Sequence, residues 1–167
     1  MKSISHEHGK INSKIVSKQI ISTVFLTILT LLTMESQAQT FKTIENKDLK
    51  LEVYNASENS FGVASVIVSG KKDAVLIDTQ FTLADAEKVA QEIKKSGKKL
   101  TTIFFFFFDP DFYFGLEVFK KYFPEVTAYA TPATIEHIKA TAQKKLDVWG
   151  ERLGKNITSN VILPQVL

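Results

Sequence analysis

Asp109 and Asp111 stand on either side of Pro110, at the end of five consecutive phenylalanines (residues 104–108), and are followed by Phe112-Tyr113-Phe114-Gly115. An apolar run of this kind reads as a buried strand, and carboxylates at its C-terminal end must face water or a cation. Open α/β sheets bind ligands at that edge. Carboxylate oxygens suit a hard cation such as Mg²⁺ or Ca²⁺, which accepts water in its shell. The same residues equally meet the needs of a helix start, with Asp109 and Asp111 capping the helix and Pro110 turning the chain into it. A third acid, Asp78, closes the short apolar run Ala74-Val75-Leu76-Ile77. It joins the other two if its strand lies beside the phenylalanine strand.

Cysteine is absent, which excludes disulfides, thiolate ligands and a cysteine nucleophile, so any chemistry uses oxygen or imidazole. His137 lies between Ile135 and Ile138 in a long helical pattern, where a place on the helix surface accounts for it.

To bring the acids together the chain has to supply adjacent strands. Residues 49–53 and 63–68 read as a hairpin around a polar loop, and residues 74–78 as a further strand. Thr82 with Asp85 fits a capping box, after which Leu83, Ala86, Ala90 and Ile93 recur at helical spacing until Gly97. Residues 100–108 form the next strand, Leu116, Phe119 and Phe123 mark a short helix before Pro124, and residues 126–130 form another strand. Thr131-Pro132 then opens a long helix whose stripe Ile135, Ile138, Ala142, Leu146, Trp149 and Leu153 reads as core packing. A last apolar segment begins at Val161-Ile162-Leu163. This alternation predicts an α/β fold (α+β layered) with parallel strands and right-handed crossovers. Covered on both faces, such a sheet accommodates the phenylalanines. Left open on one face, the run becomes an uncharged β segment available for self-association or partner binding.

The hairpin, the strand ending Leu76-Ile77-Asp78-Thr79, the helix and the strand ending Asp109-Pro110-Asp111-Phe112-Tyr113-Phe114-Gly115 together resemble the N-terminal half of a metallo-β-lactamase-fold hydrolase, over about residues 45–163. The resemblance implies that residues 39–167 form a truncated domain, the N-terminal half of an αββα sandwich. In that family the strand ends in His-x-His-x-Asp-His, followed by a glycine, and these residues ligate zinc. Aligned on Asp111, the first histidine falls on Phe107, the second on Asp109 and the third on Phe112. Family members of the Asp-Pro-Asp type usually have a histidine two positions before the triplet, where this chain has Phe107. The resemblance therefore implies Asp111 as a metal ligand, Asp109 in or near the site, Asp78 behind them, and Phe107 and Phe112 at replaced ligand positions. Zinc catalysis needs about three protein donors and an open position for water, and the family draws its remaining ligands from the second half of a longer chain. The implied ancestral activity is hydrolysis of a small-molecule substrate by zinc-bound hydroxide, impaired or lost in this chain, and the fold does not name the substrate. The alternatives are a non-catalytic protein that binds through its phenylalanine-rich sheet edge and a non-functional fragment.

Residues 1–38 read as an export signal. Lys10, Lys14 and Lys18 precede the apolar stretch 20–34, and Ser36-Gln37-Ala38 offers small residues for cleavage after Ala38. The apolar stretch is interrupted by threonines and falls short of the roughly 18 to 20 residues of a membrane span. Cleaved, the protein is periplasmic or secreted and free of the membrane; uncleaved, it is anchored. His6 and His8 fall in this leader and are incidental. Removing the leader's four lysines and two glutamates lowers the formal charge from +3 to +1. The remaining lysines are scattered over helix faces with no basic stripe interleaved with aromatics, which argues against a nucleic-acid partner.

Overall fold

The computed structural model describes residues 41–167. The expected leader and its expected cleavage site after Ala38 lie outside the described residues. Among the described residues seven strands form one sheet in chain order: β1 (Phe41–Glu45), β2 (Lys50–Asn55), β3 (Ala64–Ser69), β4 (Asp73–Ile77), β5 (Lys99–Phe105), β6 (Thr127–Ala130) and β7 (Gln165–Val166). Strands β1 to β4 pair antiparallel, and β4 to β7 pair parallel. Helix α1 (Leu83–Ser96) links β4 to β5, α2 (Pro110–Tyr113) and α3 (Leu116–Tyr122) link β5 to β6, and α4 (Pro132–Leu153) follows β6.

Local chemistry sets the helix ends. The Thr82 hydroxyl accepts the Asp85 amide at 3.1 Å, and α1 stops at Gly97, whose φ of 69° is left-handed. The Thr131 hydroxyl accepts the Thr134 amide at 3.2 Å, with Pro132 in the first turn of α4. The helices bury one face of the sheet. Leu76, Ile103, Phe105 and Ala128 pack with Val89 and Ile93 of α1, Leu116 and Phe119 of α3, and Ile135 and Ile138 of α4, while Ala142, Leu146, Trp149 and Leu153 lie partly buried against this core. Pairing slips between Ala74, opposite Leu100, and Val75, opposite Thr102. This bulge explains why the buried positions of β5 are Leu100, Ile103 and Phe105 rather than every second residue.

One expectation is corrected, and two strands lie where the sequence reading named none. Strand β5 ends at Phe105 instead of continuing to Phe108. Ile77 pairs with Phe104 and Phe105 with Ala130, and neither neighbouring strand continues past those pairs. With no ladder partner, Phe106, Phe107 and Phe108 leave the sheet and are 62%, 53% and 40% exposed. Strand β1 went unread because four of its five residues are exposed, which leaves no apolar period. The apolar residues 161–163 are not a strand; β7 follows them and pairs with the end of β6. Among the described residues no helix is long and apolar enough to cross a membrane.

Candidate functional site

The C-terminal ends of β4 and β5 lie side by side, and the residues after β4 form a buried shelf. The Asp78 amide donates to Phe104 O at 3.0 Å, the Thr79 amide to Phe112 O at 2.7 Å, and the Gly115 amide to Gln80 O at 3.0 Å. From the other side, the Ser65 hydroxyl donates to Asp78 O at 2.8 Å, while Gln80 Nε2 donates to Val63 O and to the Ser65 hydroxyl. These bonds hold Asp78 and Gln80 at φ of 56° and 78°, a region that costs non-glycine residues on the order of 1 kcal/mol or more. Gly115 fits because it lacks a side chain: a Cβ there would lie 1.9 Å from Thr79 O and 2.7 Å from the Ala86 Cβ. A second buried knot supports the start of α1. The Asp85 carboxylate accepts hydrogen bonds from Tyr54 at 2.6 Å, Ser60 at 2.9 Å and Thr82 at 2.7 Å, with Lys88 at 3.5 Å. Burial pushes its acidity one way and the three hydroxyls with Lys88 push it further the other way, so the carboxyl stays below its ordinary range.

The three acids named from the sequence are neighbours in pairs at this edge: the charge of Asp111 acts on Asp78, and that of Asp109 on Asp111. Asp78 is buried, and its carboxylate lies 3.4 Å from the Phe106 amide. Burial pushes it up to about 7, the Phe106 amide opposes this, and the charge of Asp111 adds to it. Asp111 is half-buried and also raised, first by burial and then by the neighbouring charge of Asp109. Asp109 occupies the N-cap position of α2 but makes no side-chain cap bond, which corrects the capping expectation for that residue. Its carboxylate lies instead 3.7 Å from Lys145 of α4, the end of the helix being met by the Phe112 amide donating to Asp109 O. Asp111 lies in the first turn of α2, where its charge suits the helix N-terminus.

Aromatic rings form the rim. Phe107 and Phe112, which the sequence resemblance aligns with ligand positions, lie against each other with ring centroids 4.8 Å apart. Phe108 stacks on His137 at 4.5 Å, and Lys145 lies over the Phe108 and Tyr113 rings. His137 is thus on the exposed surface of α4 as expected, covered on one side by a phenylalanine. Sequence reading passed over Ser65, Thr79, Gln80, Asp85 and Tyr113 as members of this region. The polar Asp78-Thr79-Gln80 directly after a buried strand was the available signal for Thr79 and Gln80. Nothing marked Tyr113, whose buried hydroxyl, like Gln80 Oε1, has no hydrogen-bond partner among the described residues.

The donor set does not fit zinc. Phe107 and Phe112 have no lone pair to offer, and two carboxylates fall short of the about three protein donors a catalytic zinc needs. Among the described residues no group of three His, Cys, Asp or Glu side chains is placed to hold an ion.

No protein-family model matches the sequence, and no curated protein matches it. The architecture does have counterparts. It is similar to DIM-1 metallo-β-lactamase exposed to ceftazidime, at 20% identity over 62% of this chain and 48% of that one, with a TM-score of 0.50. A metallo-β-lactamase from Hirschia baltica matches at 11% identity over 77% of this chain and 52% of that one, with a TM-score of 0.53. The FIM-1 metallo-β-lactamase from Pseudomonas aeruginosa in its mono-zinc form matches at 10% identity over 76% and 50%, with a TM-score of 0.51. The chain spans about half the length of these structures. It therefore has the α/β architecture of the metallo-β-lactamase fold, as the sequence resemblance implied.

Proposed function

We propose that this protein is an exported derivative of metallo-β-lactamase-fold hydrolases in which hydrolysis by zinc-bound hydroxide has been lost and the former metal edge binds an apolar small molecule. The observation that carries this reading is the contact between Phe107 and Phe112. At two of the three histidine positions of the aligned motif, lone pairs have given way to adjoining rings at an exposed rim, while the shelf beneath is intact. In this reading Asp111 and Asp109 are the remnant of the metal site and Asp78 the buried acid behind it. Their oxygens would retain at most a weak, hydrated hard cation.

Elemental analysis of the purified, folded full chain tests the loss of chemistry: far less than one zinc per chain is expected, and near-stoichiometric zinc with hydrolytic turnover overturns it. Titration with a neutral aromatic such as phenol, followed by backbone amide shifts, tests the binding role. Shifts should cluster at residues 106–112 and vanish in Phe107→Ser; shifts spread evenly over the molecule would refute it. Export is checked separately by the mass of the secreted product, which should begin at Gln39.

A further inference from the structure

The sheet separates its charges between its two ends. Asp78, Asp109 and Asp111 stand beyond the C-terminal ends of β4 and β5, while the connections at the other end carry lysines that are scattered in the sequence. At the centre of that end are Lys71 and Lys72, between β3 and β4, with Lys98 and Lys99 where α1 leads into β5. The two turns are bonded together: Lys98 Nζ donates to Lys71 O at 2.6 Å, and the Lys99 amide donates to Lys72 O at 3.0 Å. Lys47, in the β1–β2 turn, and Lys121, in the last turn of α3, extend the row to either side. Five of the six are exposed and Lys98 is half-buried. Among the described residues no ion pair joins any of them to an acid, although Asp48, Asp73 and Glu125 lie close by in the chain. The residues after Ala38 have a formal charge of only +1, so these lysines reflect a separation of charge and not a general excess. Like charges gathered in bonded turns repel one another, and an opposite charge outside the chain offsets that repulsion. Layers that pack on a sheet cover its faces, whereas the turns at its ends stay at the surface.

We propose that this end of the sheet docks on the surface of an anionic lipid membrane. Three features favour lipid over other polyanions. The lysines belong to successive connections along the sheet, whose strands lie about 4.8 Å apart, so they form a row roughly 20 Å long. A plane of headgroups meets such a row along its whole length, whereas a single-stranded nucleic acid asks for a groove with stacking rings. No arginine stands in the row. The lysine ammonium is a mobile point charge that suits a fluid headgroup layer, while phosphates of fixed geometry are better held by the arginine fork. Apolar side chains also stand among the charges: Leu49 is 44% exposed beside the β1–β2 turn lysine, and Pro124 is exposed just after α3. Lipid offers an apolar layer beneath its charged one, into which such side chains fit, and a nucleic acid does not. Docked in this way, the protein turns its candidate site away from the membrane. The inference is independent of the function proposed for the rim.

The test is acetylation of lysines in the purified full chain, read residue by residue by mass spectrometry, with vesicles of phosphatidylcholine containing about 30% phosphatidylglycerol. Labelling of Lys71, Lys72, Lys98 and Lys99 should slow by about five-fold or more on these vesicles, and that of Lys139 and Lys144 on α4 should not change. Protection should be absent with phosphatidylcholine alone and should disappear at about 0.5 M salt. Lys71→Gln with Lys72→Gln, in a chain folded by circular dichroism, should remove the protection of Lys98 and Lys99. Lys98→Gln with Lys99→Gln provides the reciprocal test at Lys71 and Lys72. Equal labelling of the four lysines with and without anionic vesicles would overturn the proposal. So would protection centred on Lys42 and Lys145 at the other end of the sheet, as attachment through the residues before Phe41 would give. Stronger protection by double-stranded DNA or by polyglutamate than by the vesicles would also overturn it, and would assign the row to a nucleic acid or to an acidic protein.

Discussion

The shelf and the rim of the candidate site lie within a few residues of each other and are built in opposite ways. In the shelf, Asp78, Thr79 and Gln80 are buried, bonded to β3, β5 and α2, and pressed against Gly115 so closely that a methyl group has no space. In the rim, Phe106 and Phe107 are mostly exposed, and Phe107 meets Phe112. The difference separates what positions a site from what performs its chemistry. Geometry of the first kind is held by many mutually dependent bonds, so it resists change. Chemistry of the second kind resides in a few exposed side chains, which can be exchanged without disturbing the fold.

The contrast is broken most severely by Gly115→Ala. Its Cβ would meet backbone rather than a movable side chain, so loss of the folded state is expected, at a cost above about 4 kcal/mol. A cooperative thermal transition near that of the wild type would show that the shelf can move. Asp85→Ala follows. It removes the buried acceptor shared by the hydroxyls of Tyr54, Ser60 and Thr82, and chemical denaturation should report a loss of about 3 to 5 kcal/mol.

Asp78→Asn tests the shelf by pH. The folded carboxyl is held near 7 by burial, above its unfolded value, so the folded state binds the proton more tightly. The associated stability is present at low pH and lost as pH rises toward 7, in total on the order of a few kcal/mol. The asparagine variant keeps the acceptor for the Phe106 amide and should flatten this decline, making it more stable than wild type at pH 8. Equal slopes in the two proteins would mean that Asp78 is ionised throughout. Asp85, with its lowered range, has the opposite sign and contributes its loss only in strong acid.

The smallest expected effect sharpens the comparison from the rim. Phe107→His combined with Phe112→His doubles the donors beside Asp109 and Asp111, and a competition titration should show zinc binding at least ten-fold tighter, about 1.4 kcal/mol. Stability should change by no more than about 0.5 kcal/mol, since Phe107 is exposed and Phe112 only partly buried. Unchanged zinc affinity in a folded double variant would mean that the motif is aligned wrongly.

Much of this architecture was readable because it follows from local chemistry. The Thr82 and Thr131 caps, the stop at Gly97, the apolar stripe of α4 and the parallel strands β4 to β6 each depend on residues near in sequence. The phenylalanine run misled at its far end because strand length is set by neighbours: β4 and β6 stop, so β5 stops. Asp109 misled for a related reason. Its type suits a helix cap, but Lys145, 36 residues later in the chain, lies close enough to attract the carboxylate.

By itself the sequence determined the inventory of chemistry: no thiol, one histidine after residue 38, and the acids Asp78, Asp109 and Asp111 with Phe107 and Phe112 flanking the last two. Only the tertiary structure decided which of these groups meet and in what surroundings. It made Asp78 a buried acid and Asp109 an ion-pair partner, and it set Phe107 against Phe112. Residue type fixes which bonds a side chain is able to make, while burial, charge and contact depend on segments that come together only when the sheet closes.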